Sequence, residues 1–205
     1  MFTGIKYATF FTILTIITAC SSNSSVSSKI LKRETVTNNK DSHEINISTY
    51  KAYFVNEIAN IRAKGAKCGG PTTALTPNPN LEAAAKAHAK DMAINHFVQH
   101  DGSGTITDPA RKSNGIGSTF IDRVIYFGYP AKTHDLVGET ITHTKNSVLK
   151  TDDVRKHFRS ALKLILNDPP HCKILMNPRF KDVGIGVYKT KDGYYWAIEY
   201  GEIER

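Results

Sequence analysis

The stretch 167–180 constrains this chain strongly, because it combines a backbone break, a reactive side chain and a covalent anchor. Pro169 and Pro170 have no backbone donor, so a helix that arrives there is expected to end. His171 follows directly, and an imidazole can bind a metal ion or exchange a proton near neutral pH. Cys172 then offers an anchor. The alternative interpretation is an ordinary turn that contains a histidine.

The first 20 residues predict export. Residues 7–19 are apolar but too short to cross a bilayer as a helix, which takes about 20 residues. The segment ends in isoleucine, threonine, alanine and Cys20, which resembles a bacterial lipobox and predicts cleavage before Cys20 with lipid on its sulfur. An ordinary secretory signal peptide is the alternative. Ser21 resembles the outer-membrane sorting choice of Gram-negative lipoproteins.

These features divide the chain into three predicted segments. Residues 1–19 are a lipoprotein signal peptide, residues 20–45 are a flexible serine-rich tether with lipidated Cys20, and residues 46–205 form one globular domain. The net charge is +8, but the lysines and arginines are scattered and form no basic stripe, which argues against nucleic-acid binding. The predicted partner is a membrane, reached through the lipid anchor, and the expected location is the bacterial cell envelope, on the outer membrane in a Gram-negative cell.

Lipidation of Cys20 leaves Cys68 and Cys172 as the remaining cysteines of the chain. An oxidising compartment outside the cytoplasm favours a disulfide between them. That bond would close a loop of about 105 residues and contribute up to roughly 4–5 kcal/mol on the chain-entropy account. Two free buried thiols are the alternative.

Apolar residues at helical spacing predict two helices in the first half of the domain. Phe54, Ile58 and Ile61 form the inward stripe of the first helix, which Ser48 or Thr49 is expected to cap.

The second helix is expected to begin at Asn80 as its cap and to end near residues 95–97. His88 lies on its apolar stripe, where we interpret it as a core residue rather than a ligand. His100 follows in a loop, a common setting for a functional histidine.

The second half predicts helices followed by strands. A short helix over 119–126 is expected to leave Arg123 exposed or paired. Glu139 stands at the entry to a strand, where a solvated carboxylate is the default and a carboxylate pointed into a cleft is the alternative. Asp152 or Asp153 starts a further helix. A hairpin then turns at 191–193, so the overall class is α+β, with a small antiparallel sheet covered by helices.

Taken in order, four segments resemble the CAP superfamily, also called the SCP domain, over about residues 50–202. They are 81–92, the phenylalanine-x-x-histidine segment that ends at His100, the pairs Gly128-Tyr129 and Gly138-Glu139, and Pro170-His171-Cys172 with the residues up to 186. This resemblance implies a three-layer α-β-α sandwich. Paired cysteines also occur in corresponding places in bacterial relatives, which supports the pair Cys68–Cys172.

The resemblance assigns cavity roles to His100, Glu139 and His171. A second glutamate, found in eukaryotic members on the helix before the last motif, has no counterpart between Asp152 and Leu166. Thr140 stands where the family usually has asparagine, and Ile165 stands where many members have tryptophan. These departures are similar to those of bacterial members.

Three functions are compatible with such a chain. The preferred one is an anchored binding or effector module whose cleft holds a divalent metal such as zinc, with His100 and His171 as ligands, or a lipid, envelope polymer or protein. The first alternative is a hydrolase, protease-like or esterase-like, that uses His100, Glu139 and His171, with Ser103 or Ser113 nearest in sequence. The second alternative is a purely structural envelope protein. The sequence supports no particular catalytic activity.

Overall fold

The structure, a computed structural model, describes residues 42–131 and 137–202. The predicted signal peptide, Cys20 and most of the predicted tether lie outside the described residues. The helices are α1 (Lys51–Lys64), α2 (Pro79–Asn95), α3 (Phe120–Tyr126), α4 (Asn146–Leu149), α5 (Val154–Asn167) and α6 (Pro169–Leu175). The strands are β1 (His43–Glu44), β2 (Thr76–Pro77), β3 (Val137–Lys145), β4 (Asp182–Thr190) and β5 (Gly193–Gly201). The described helices are all too short or too polar to traverse a lipid bilayer.

One sheet organises the domain, with the strand order β1-β4-β5-β3 and β2 added in parallel to β4. The three long strands are antiparallel, and β4 and β5 form the predicted hairpin. β1 pairs with β4 from within the stretch assigned to the tether. Together with helices on both faces, this arrangement confirms the α+β class and the predicted three-layer sandwich.

Two predicted helix caps are wrong. Asn78, not Asn80, caps α2, because its side chain accepts from the backbone of Asn80 and Leu81 and Pro79 occupies the first turn. Neither Ser48 nor Thr49 caps α1. Both belong to a short 3-10 helix, Ile47–Thr49, that precedes α1 and takes its own cap from Asn46.

The proline pair has a second role that the sequence analysis missed. A helix does end before it, since α5 stops at Asn167, but Pro169 also begins α6. Proline fits the first turn of a helix, where its missing N–H would have no partner. Asp168 caps the new helix by accepting from the backbone N–H of His171. His171 therefore lies in a helical turn rather than in a loop.

Aromatic rings fill the face of the sheet that α1, α5 and α6 cover. Phe54 of α1 and Phe158 of α5 have ring centroids 4.2 Å apart, and both rings pack against Trp196 of β5. Arg62 also lies on this side and is fully buried. Its guanidinium donates to backbone carbonyls at the end of α6 and just beyond it, including those of Leu175 and Asn177.

The opposite face is packed by backbone rather than by large side chains. Helix α2 rests directly on β4, because a Cβ added to Gly184 or Gly186 would lie 2.0 Å or 2.1 Å, respectively, from backbone atoms of the helix. Alanines of α2 meet Ala197 and Ile141 of the sheet. The helix therefore approaches the sheet closely and places His88 next to Glu139 of β3.

The predicted disulfide is confirmed. Cys68, in the loop after α1, is bonded to Cys172 of α6, with their Cα atoms 5.9 Å apart. The bond ties the beginning of the domain to the helix that carries His171.

Candidate functional site

The three residues predicted for the cleft meet at one end of the sheet. His100 Nδ1 lies 2.7 Å from a Glu139 carboxylate oxygen, and His100 Nε2 lies 3.1 Å from His171 Nε2. They come from three separate parts of the chain: the loop after α2, strand β3 and helix α6. The site runs from solvent inward, since the side chain of His100 is 45% exposed, that of His171 17% and that of Glu139 0%.

Glu139 is buried and fully engaged, in contrast to the solvated default. One of its oxygens accepts from His100, and the other accepts from Arg123 of α3 at 2.7 Å. Arg123 is buried as well, and the same guanidinium nitrogen donates to the backbone carbonyl of His100 at 2.8 Å. Arg123 therefore fixes both the carboxylate and the loop that presents the histidine, a role that the sequence analysis missed.

His88 also belongs to this cluster. Its ring is fully buried, its Nε2 donates to the Gln99 carbonyl at 2.9 Å, and the same nitrogen lies 3.7 Å from Glu139. Burial lowers the pKa of His88, so the ring is neutral. His88 is buried, as expected for a core residue. It also connects Glu139 to the loop that carries His100.

A second buried glutamate completes the cluster from the sheet. Glu199 of β5 lies directly across from Glu139 in the strand register, and it is fully buried. The family resemblance implied a place for a second glutamate only between Asp152 and Leu166, and not on β5. The available signal was an acid within the apolar run of β5, between Ile198 and Tyr200, where both faces of a strand are buried.

The charges of the site follow from its contacts. The hydrogen bond to Glu139 raises the pKa of His100. Burial opposes the ionisation of Glu139, but its interactions with His88, Arg123 and His100 together outweigh burial and hold its pKa well below the usual range. Burial, together with the positive charge of His100, lowers the pKa of His171. The pair therefore consists of a protonatable His100 that can donate from Nε2 and a neutral His171 that accepts.

The two Nε2 atoms form the part of the site that can bind a metal ion. Their separation is compatible with two ligands of one zinc ion at bond lengths of about 2.0–2.1 Å. Glu139 lies behind His100 rather than beside the two nitrogens. Among the residues that the structure describes, no group of three or more histidine, cysteine, aspartate or glutamate side chains has metal-binding geometry. A bound ion would thus take its remaining ligands from water or from a partner molecule.

The candidate serines are placed differently. The Ser103 hydroxyl donates to Asp91 at 2.6 Å, within a network that also includes Thr105 and Thr107. This network anchors the loop after His100 to α2. Ser113 is exposed. Neither hydroxyl is hydrogen-bonded to His100 or His171, so the structure does not assemble a nucleophile with these histidines.

The fold and site define an α-β-α domain with a histidine pair at its surface and buried carboxylates behind it. The model of the CAP family, described as the cysteine-rich secretory protein family, matches residues 55–200. The chain belongs to this family. No curated protein sequence matches it significantly.

Two solved structures share the fold. An outer surface protein from Borrelia burgdorferi is 18% identical, with a TM-score of 0.56, over 80% of this chain and 99% of that one. An extracellular protein containing a SCP domain from Bacillus anthracis strain Ames is 21% identical, with a TM-score of 0.53. The latter match covers 74% of this chain and 40% of the other, so the present chain corresponds to part of that protein.

Proposed function

We propose that this chain is an extracytoplasmic binding module that holds a divalent cation, zinc in the first instance, between His100 and His171. The observation that carries the proposal is the 3.1 Å approach of the two Nε2 atoms at a solvent-accessible position. Imidazole nitrogens suit zinc, and the ion's open positions would be available to a ligand of the module.

The surroundings of the pair support this use. A metal-bound histidine usually donates its other ring N–H to a carboxylate, which fixes the ring and its tautomer. Glu139 occupies that place behind His100 at 2.7 Å, and Asp168 lies 3.7 Å from His171 Nδ1. Because Arg123 holds Glu139 in turn, the pair is oriented before any ion arrives.

The location outside the cytoplasm is supported by three features. The chain carries a disulfide, its first 20 residues resemble a lipoprotein signal, and the two structural neighbours are described as an outer surface protein and an extracellular protein. We propose that a lipid on Cys20 anchors the domain to the envelope membrane. Replacing Cys20 with serine should move the protein from the membrane fraction to the soluble fraction, and unchanged fractionation would count against the anchor.

Calorimetric titration with zinc chloride tests the site. The purified domain should bind one ion per chain, and His100→Ala and His171→Ala should each abolish the heat of binding. His96→Asn is the matched control, because His96 is an exposed histidine in the left-handed conformation that asparagine tolerates. Glu139→Gln should weaken binding by about 10–100-fold. Equal heats in wild type and both histidine variants would overturn the proposal.

The affinity should also depend on pH in a defined direction. The raised pKa of His100 means that a proton competes with the ion for its Nε2. Zinc affinity should therefore increase as the pH rises through the pKa of His100 and then level off.

A further inference from the structure

The carboxyl group of Glu199 lies in the same buried cluster but is not used by the proposed cation site. It projects toward α2, as Glu139 does, because the two residues face each other in the register of β3 and β5. On its other side, β5 pairs Glu199 with Gly184, which has no side chain. Two glutamate side chains therefore lie next to each other in the interior of the domain.

The charged and titratable groups near Glu199 do not balance two anions. Glu139 faces it from β3, Arg123 from α3, and His88 of α2 lies beside Glu139. His88 is neutral, and Arg123 donates to Glu139 at 2.7 Å. One cation therefore serves two carboxyl groups, and like charges directly opposite each other destabilise a sheet.

The hydrogen bonds around Glu199 also disfavour its ionised form. Within the described ranges, no N–H or O–H group donates to either oxygen of Glu199. A buried carboxylate without a donor is unfavourable, whereas a protonated carboxyl carries its own donor. The Glu139 carboxylate lies within hydrogen-bonding reach of Glu199 and can accept that proton. Burial and the nearby charge of Glu139 both raise the pKa of Glu199.

We propose that Glu199 is a neutral carboxylic acid at physiological pH and positions Glu139 by donating its proton to it. Glu139 then remains the ionised member of the pair and keeps its bonds to Arg123 and His100. The benefit to the histidine pair rests on the proposed cation site, but the protonation state of Glu199 does not.

A protonated Glu199 makes the stability of the folded domain sensitive to high pH. A group whose pKa is higher in the folded than in the unfolded protein contributes stability below its unfolded pKa. That contribution is lost as the pH rises through the folded pKa. Between the unfolded and the folded pKa of Glu199, each pH unit lowers the folding equilibrium constant by up to tenfold. Glu199→Gln should remove this loss, because an amide keeps a donor toward Glu139 and cannot ionise.

Two measurements on the full mature domain test the protonation state. Infrared spectroscopy at pH 7 should show the C=O stretch of a protonated carboxyl in wild type, and the band should vanish in Glu199→Gln. Urea unfolding from pH 5 to pH 9 should show a steeper alkaline loss in wild type than in Glu199→Gln. Glu44→Gln, at an exposed strand residue, is the matched control and should behave as wild type. A missing band, or identical pH profiles in wild type and Glu199→Gln, would overturn the proposal.

The positioning role needs a separate readout. The Nδ1–H proton resonance of His100 reports its hydrogen bond to Glu139. That resonance should shift in Glu199→Leu, which removes the donor, and stay in place in Glu199→Gln. The same resonance in all three proteins would reduce Glu199 to a buried acid without a positioning role. Absence of zinc binding by wild type, with the carboxyl band present, would instead contradict only the cation site.

Discussion

On one face of the sheet Trp196 packs against the rings of Phe54 and Phe158, whereas on the other face Ala197 and Glu199 of the same strand look toward α2. The aromatic face is thick and apolar, and on this side the Cys68–Cys172 disulfide joins the loop after α1 to α6. The α2 face is thin, built from glycine and alanine, and it carries the charged cluster.

The difference shows what the close approach of α2 makes possible. Small residues let the helix backbone rest on β4, so the loop after α2 carries His100 to the beginning of β3. Burial behind that loop turns Glu139 into a fixed acceptor rather than a mobile surface carboxylate. Packing on the aromatic face stabilises the domain, and this stabilisation offsets the free-energy cost of burying ionised groups on the α2 face.

The largest expected effect comes from thickening the thin face. Gly184→Ala places a methyl group 2.0 Å from the Leu81 carbonyl carbon, and a helix backbone cannot escape by a rotamer change. We expect a loss of about 5 kcal/mol in the free energy of unfolding, or failure to fold. The control is Gly70→Ala, where an added Cβ has no neighbour within 4 Å and the expected change is within about 0.5 kcal/mol. Similar urea midpoints for the two variants would show that the close contact between α2 and β4 does not limit the stability of the domain.

The next effect tests the thick face. Phe158→Ala deletes a fully buried ring between α5 and the sheet and should cost about 4 kcal/mol in urea unfolding. Phe158→Leu, which keeps most of the volume, should cost roughly 1–2 kcal/mol. If Phe158→Ala also abolished zinc binding in the folded protein, the two faces would not be separable as described.

The charged cluster should give a smaller loss with a distinctive pH dependence. Glu139→Gln leaves the buried guanidinium of Arg123 without its anion and should cost about 3 kcal/mol near neutral pH. The depressed pKa of Glu139 means that its stabilisation is present above the unfolded pKa, about 4.3, and is lost as the pH falls toward the folded pKa. The gap between wild type and variant should therefore narrow below about pH 4. A gap of the same size at pH 3 and pH 7 would contradict the ion pair.

The smallest effect on stability belongs to the solvent-facing edge of the site. His100→Ala removes a side chain that is 45% exposed, so the unfolding free energy should change by no more than about 1 kcal/mol, as is typical of exposed ion pairs. Thermal unfolding measures the change. A loss as large as that of Glu139→Gln would mean that the histidine is a structural member of the core.

The sequence predicted much of this fold because its patterns are local. The alternation of apolar residues and the turn at Gly193 indicated the β4–β5 hairpin. The helical stripe around Phe158 indicated α5, with Asp152 or Asp153 at its start, and Asp153 is the cap. The cap of α2 was wrong because Asn78 and Asn80 both stand near its start. Only the backbone geometry decides which asparagine side chain accepts.

The candidate site was predictable only in part. His100, Glu139 and His171 were found through the family resemblance, but Arg123 and Glu199 were not. Nothing in the spacing of Arg123 along α3 shows that it turns inward to a carboxylate from a distant strand. The burial of Glu199 depends on the register of β5 against β3, which is a property of the assembled sheet.

We propose that His100, from the loop after α2, and His171, from α6, are two preset ligands for one cation. Anomalous diffraction at the zinc edge, from crystals of the domain grown with one equivalent of zinc, tests it most directly. We expect a single strong peak about 2.0–2.1 Å from both Nε2 atoms, with Glu139 still hydrogen-bonded to His100 Nδ1. A zinc peak elsewhere, or no peak between the two rings, would contradict it.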